Sequence, residues 1–211
     1  MFQFNRAMMQ GRGALDAPSI PAGGTVKWID PTSQFTFSES GRLATSSSRS
    51  PSWPGIRCDK VLSYGKWYCE FVVTTGGSPV IAIGVGGPQA DSTVFGHDQA
   101  MYLPHDNSVL EHGGWGDTPR PLSNTGWATV WGVAFDYKET LSKLYVAKDN
   151  DYAPGDPSAG TLALAGQAVG WYETTNTFMI RTDTVSTSIR VCAHASQQTY
   201  SPPTGYTAAD S

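Results

Sequence analysis

The sequence predicts an all-β fold: an antiparallel two-sheet β-sandwich behind an irregular N-terminal arm. Three observations carry that expectation. Apolar residues alternate with period two in runs too short for helices. Turn chemistry is dense, with 23 Gly and 14 Pro among 211 residues, which favours short strands over helix interiors. No amphipathic stretch longer than about two helical turns occurs. Hydrophobic residues make up 39% of the chain, enough at this length to bury a core without disulfide staples.

Residues 1–27 read as the arm. NRAMMQGRGALDAPSIPAGGT holds no sustained period of 2 or 3.6, and such segments rarely pack alone. Yet Met1, Phe2, Phe4, Met8 and Met9 are sizeable apolar groups that a solvated tail does not need. The expectation is an arm that orders against another subunit, with the β domain spanning 28–211.

The elements follow in order. FTFSESGRLATSSSRS alternates weakly and runs into a Ser-rich loop. In KWYCEFVV, Trp67, Cys69, Phe71 and Val73 share one face, and Tyr68, Glu70 and Val72 the other, which marks a strand. Gly76-Gly77 signals a turn, and PVIAIGVGG reads as a strand buried on both faces. Residues 88–124 are polar and irregular, and read as long loops around short strands. The runs 129–135 and 141–147 flank the polar link DYKET, a hairpin signal. TLALAGQAVGWYETT holds one or two short strands. FMIRTDTVSTSIRVCAHAS adds a pair, with alternation through Ile189, Val191 and Ala193. The ending SPPTGYTAADS has Pro-Pro rigidity but no period. The signals delimit roughly ten to thirteen short strands, and no fixed-period repeat points to a propeller or solenoid.

Several of these segments resemble, in order and spacing, the SPRY domain family. Gly65 to Glu70 is similar to its Gly-Lys-Trp-Tyr-x-Glu strand, and Ile83 to Gly86 to its Ile-Gly-Val-Gly strand. Gly132 to Asp136 and Lys148 to Asn150 resemble the later hairpin, with Asp151 in place of its final Gly. NDYAPGDPSAGT resembles a Gly-Asp-Pro-x-x-Gly insertion, and TYSPPTGYTA the Tyr-x-Pro-Pro-x-Gly-Tyr ending, of phage and bacterial members. One departure is that Val191-Cys192-Ala193-His194 stands where the family has Asn-Phe-Gly-Gln. The resemblance covers 35–207. It implies a SPRY-like β-sandwich that binds through loops at one end or edge and is not an enzyme. Animal members bind peptides or proteins, and phage members sit in virion proteins.

Charge and motifs narrow the function classes. The net charge of −4 without a Lys/Arg cluster argues against nucleic acid. No run of about 18 apolar residues predicts membrane insertion, and the first residues lack the continuous apolar segment of a secretory leader. Cys58, Cys69 and Cys192 lack zinc or disulfide spacing and read as reduced thiols. His97-Asp98, His105-Asp106 and His112 recur on polar loops, but no ligand-spacing motif accompanies them, so no metal or cofactor is expected. There is no G-x-S-x-G elbow. Cys58 has no identifiable base, and Glu39 and Glu70 fall in different elements with nothing to fix their separation.

The aromatic residues say more. Trp67, Trp131 and Phe135 fall in strands and read as core. Trp53, Tyr102, Trp115 and Tyr152 fall in expected loops, where they either stack on a ligand or cap the ends of the sandwich. With Arg57, Asp106, Glu111 and Asp117 as polar partners, they form the candidate ligand site. The functional expectation is a bacteriophage virion protein, an accessory head or tail component docked on capsid or tail proteins through Phe2, Phe4, Met8 and Met9. A host-surface glycan-binding module and an intracellular protein-interaction domain are the alternatives. A homo-oligomer is compatible with each.

Overall fold

A computed structural model of the chain describes residues 24–30, 33–47, 54–74, 80–87, 99–104, 108–111, 114–116, 129–138, 141–152, 154–161, 163, 165–168 and 176–211. Fifteen strands are present among them: β1 (Trp28–Ile29), β2 (Phe35–Ser38), β3 (Leu43–Ser46), β4 (Gly55–Cys58), β5 (Gly65–Thr74), β6 (Ile81–Gly86), β7 (Gln99–Leu103), β8 (Ser108–Glu111), β9 (Gly114–Gly116), β10 (Val130–Tyr137), β11 (Leu141–Lys148), β12 (Ala165–Ala168), β13 (Thr177–Thr182), β14 (Ser188–Cys192) and β15 (Thr207–Ala208). One sheet runs β1-β4-β13-β6-β7-β8-β9 and the other β12-β11-β10-β5-β14-β3-β2. No helix among the described residues is long and apolar enough to cross a membrane.

The expected alternation is realised in β5. Cys69, Phe71 and Val73 enter the core between the sheets, and Trp67 packs against it. Rings from both sheets meet there. Trp28 of the first sheet stacks on Phe71 of the second, centroids 5.5 Å apart, and Phe178 meets Phe71 edge-on. The Trp28 indole N–H donates to the Ile189 carbonyl across the sandwich at 3.0 Å, so the ring buries without an orphaned donor. β10 and β11 form the expected hairpin, with Phe135 opposite Leu144. Ile189, Val191 and Ala193 all enter the core.

Three expectations are revised. Tyr102, expected in a loop, lies in β7 and is 1% exposed within the core. Trp67 is half-buried, so its removal costs less than the ~3–5 kcal/mol of a fully buried aromatic. Val26, placed in the arm by sequence, is a buried core residue, and Lys27 is fixed through its N–H to Asp59 Oδ1 at 2.8 Å.

β6 is buried along its whole length, and its central glycine has a steric cause. A Cβ on Gly84 would collide with the Ala100 carbonyl and lie 2.8 Å from Met101 Cα on the neighbouring β7. Gly84→Ala should therefore destabilise the fold by about 1–3 kcal/mol or more, read as a lower urea midpoint with an unchanged slope. An unchanged midpoint contradicts the close approach of β6 and β7.

Candidate functional site

The outward face of the second sheet carries the candidate site. Register aligns three rows across β11, β10 and β5: Tyr145–Ala134–Tyr68, Lys143–Asp136–Lys66 and Ala147–Gly132–Glu70. The small residues of β10 make a trough between the tyrosines. A Cβ on Gly132 would sit 2.8 Å from the Tyr68 hydroxyl and 3.3 Å from that of Tyr152, so glycine there lets both phenols close over the strand.

Residues 193–211 return across this face as a strap. Beyond β14 a 3-10 turn, Ala195–Gln197, is capped by His194, whose ring accepts the Ser196 N–H. The Thr199 N–H then donates to Glu70 Oε2 at 2.6 Å, and the Tyr200 N–H to Oε1 at 2.8 Å. Tyr68 Oη donates to the same Oε1 at 2.9 Å. Glu70 is fully buried. Burial pushes its carboxyl above the usual range, opposed by these three bonds, which favour the ionised form.

Further along, Gly205 adopts φ 84° and the Tyr206 N–H closes a turn on the Pro203 carbonyl at 2.9 Å. Tyr206 packs with Tyr68, Ala134 and Tyr145, and Lys66 Nζ lies 5.2 Å from its ring centroid. β15 then pairs parallel to β5 at Trp67 and Tyr68, beside the stretch where β14 pairs. Finally Asp210 accepts from the Thr25 and Val26 N–H groups, joining the two ends of the described fold.

Residues 149–161 form the opposing wall. Lys148 and Asp151 exchange N–H···O bonds of 3.1 and 3.0 Å around Asp149 and Asn150, at φ 48° and 69°. That is the geometry of a two-residue hairpin turn, which Asn and Asp tolerate best after glycine. Asp156 and Thr161 exchange another pair, and Asp156 Oδ1 accepts the Ser158 and Ala159 N–H groups at 2.8 and 3.1 Å. Lys143 Nζ holds the Gly160 carbonyl at 2.5 Å. Between strap and turn lies a cleft of about 560 Å³, bordered by Asp151, Tyr152, Asp156, Pro157, Pro202 and Thr204 among others.

The residues expected to form one ligand platform are not brought together where they are described. Arg57 alternates with the core residues Ile56 and Cys58 and so faces outward from the first sheet. Tyr102 is core, and only Tyr152 borders the cleft. Glu111 and Trp115 lie on the paired strands β8 and β9 rather than in loops, with their side chains outside the described residues. Trp53, Asp106, Asp117 and the arm residues Phe2, Phe4, Met8 and Met9 lie outside them too, as do His97, Asp98, His105 and His112. Among the described residues no group of three or more His, Cys, Asp or Glu could hold a metal. Glu39 pairs bidentately with Arg190 at 2.8 and 2.6 Å, so both carboxylates weighed as catalytic candidates have structural partners. Burial pushes the Cys69 and Cys192 thiols up, the latter to about 12, which leaves them unreactive.

The sandwich resembles solved SPRY structures. It matches the PSpry domain of TRIM65 with a TM-score of 0.54 at 13% identity, covering 79% of this chain and 88% of that one. The SPRY domain of human HERC1 matches with 0.51 at 10% identity, covering 75% and 94%. A further human SPRY domain matches with 0.54 at 9% identity, covering 78% and 95%. The fold is SPRY-like. No family model matches the sequence, and no curated protein matches it.

Two outcomes follow from the Glu70 clamp. Glu70→Ala leaves two N–H groups and a phenol without their acceptor. It should cost roughly 2–4 kcal/mol and make residues 199–211 sensitive to protease. Burial outweighs the three bonds, so the folded-state pKa lies above the ordinary 4.5; the cost of burying the charged form is absent below that value and is incurred as pH rises through the raised one, where the fold loses stability. Thermal melts from acid to neutral pH should therefore show the native protein losing stability relative to Glu70→Gln. Parallel curves contradict the assignment.

Proposed function

We propose that the chain is a non-enzymatic protein-recognition module that uses the strap-and-turn cleft to hold an extended segment of a partner protein. The observation that carries this reading is the cleft itself: both walls are tied by hydrogen bonds to a SPRY-like sandwich. Walls fixed before binding lose little further entropy when a partner docks. Prolines 154, 157, 202 and 203 border it and limit backbone freedom on both sides.

The setting we propose is a bacteriophage particle, with residues 1–23 as a docking arm, the sandwich from residue 24 onward as the displayed domain, and capsid or tail proteins as partners. The Gly-Asp-Pro insertion and the Tyr-Ser-Pro-Pro-Thr-Gly-Tyr ending support it through their resemblance to phage members. Phe2, Phe4, Met8 and Met9 supply apolar groups suited to a protein interface. A glycan-binding reading draws on one other observation. Tyr64 is 55% exposed and rests on Tyr137 with ring centroids 4.7 Å apart, an arrangement suited to stacking on a sugar ring.

Mass spectrometry of density-purified particles should find this chain at a fixed ratio to the major capsid protein. Removing residues 1–23 should leave the sandwich folded and abolish that association. Absence of the full chain from particles overturns the virion setting. A photo-crosslinking residue at exposed Ser158 should capture a virion protein. Capture only from a control position far from the cleft overturns recognition at this site.

A further inference from the structure

One exposed ring at an end of the sandwich is anchored as firmly as a core residue. Tyr64 is the most exposed of the large hydrophobic residues described, yet the loop that carries it is tied at successive points. The Asp59 N–H donates to the Lys27 carbonyl at 2.9 Å and the Leu62 N–H to the Asn176 carbonyl at 2.7 Å, and the Leu62 side chain enters the core. The Trp67 indole N–H donates to the Ser63 carbonyl at 2.7 Å. Gly65, at φ 151°, allows this approach, since a Cβ there would lie 3.3 Å from the same indole nitrogen.

Behind Tyr64 a column of rings runs into the sandwich. Tyr137 lies against it with centroids 4.7 Å apart, and Phe135 stacks on Tyr137 at 5.4 Å; both belong to the core. One side of the Tyr64 ring is thus backed, and among the described residues no other ring lies against it. Its surroundings are polar. Ser63 is exposed, and Lys138, which follows the Gly65–Tyr137 pairing, is more than half exposed and pairs with Asp136. Exposed Val61 is separated from Tyr64 by the buried Leu62 and by Ser63. The apolar face is therefore one ring wide, with hydrogen-bonding groups around it. That is too narrow for the core of a protein interface, and it matches a ligand with one flat apolar face and a polar rim.

We propose that Tyr64 is the stacking platform of a glycan-binding site that takes a β-linked glucose or N-acetylglucosamine unit. This rests on the glycan reading above and adds the surroundings of the ring and the class of sugar. The face of an aromatic ring is electron-rich and attracts polarised C–H groups. A β-linked pyranose with all its ring substituents equatorial turns axial C–H groups to both faces and its hydroxyls to the rim. Laid on Tyr64, it brings that rim to the polar surround, where Ser63 and Lys138 carry hydrogen-bonding groups. An α-linked mannose has an axial oxygen on each face, which obstructs flat stacking. A ring held in place before the ligand arrives loses little freedom on binding.

The full chain should be titrated with cellotetraose, chitotetraose and α-linked mannotriose while amide resonances are followed by NMR. At least one of the first two should shift resonances at 61–66 and 137–138, and mannotriose should not. Tyr64→Ala should weaken that binding about fivefold to tenfold, and Tyr64→Phe, which keeps the ring, should bind within about twofold of the native protein. Because Tyr64 is exposed, both variants keep the sandwich, which their β5 and β6 resonances check. No shifts with either β-linked oligomer, equal binding of mannotriose, or binding that Tyr64→Ala leaves intact would each overturn the proposal. If the β-linked oligomers shift resonances only elsewhere, the Tyr64 site falls and the glycan reading stands. If none of the three sugars binds, the glycan reading falls with it, and recognition at the cleft is decided separately by capture at Ser158.

Discussion

The carboxylate of Glu70 is the constraint on which the outward face depends. A buried carboxylate is costly unless donors replace its water, and removing those donors leaves the full desolvation cost behind. Two of its three donors are backbone N–H groups of Thr199 and Tyr200, more than 120 residues away in sequence. The strap is thus held at a fixed point on β5. From that point the Pro202-Pro203 stretch and the turn at Gly205 carry Tyr206 onto Tyr68 and Ala134. One wall of the cleft follows from this, and the other from the Lys148–Asp151 turn and the space above Gly132. Backbone conformation, a small-residue row and one buried acid together shape a surface that no single motif encodes.

Much of the frame was legible in the sequence because it is written in local periodicity. Alternation in β5, the continuous apolar run of β6 and the β10–β11 hairpin each report burial on one face or two, and each appears in the structure. The site was less legible, because it depends on contacts between distant segments. Tyr102 sits in a polar stretch without regular alternation, so nothing local distinguishes a short core strand from a loop. Glu70 reads as an acid within a strand, but two of its three donors are backbone N–H groups of a distant segment, which carry no side-chain signal. The ending and the Gly-Asp-Pro insertion stood out as separate motifs. Only the fold shows that they form opposite walls of one cleft, with Tyr152 the one expected ligand residue placed there among the described residues.

The strap also bears on how such a domain could be displayed. Asp210 accepts from the backbone at Thr25 and Val26, while the Asp210 N–H donates to the Ala193 carbonyl at 3.1 Å. The chain therefore enters and leaves the described sandwich at one place. In the proposed setting, an arm attached there would carry a domain whose recognition cleft is shaped by its own framework rather than by the assembly that bears it.

The most direct test of this account is native-state hydrogen exchange at the amides of Thr199 and Tyr200. If Glu70 holds the strap as an integral part of the sandwich, both amides exchange as slowly as those in the centre of β5, through opening of the whole domain. Exchange at the rate of exposed loop amides, with β5 still protected, would show that the strap opens on its own and that the cleft has no fixed wall.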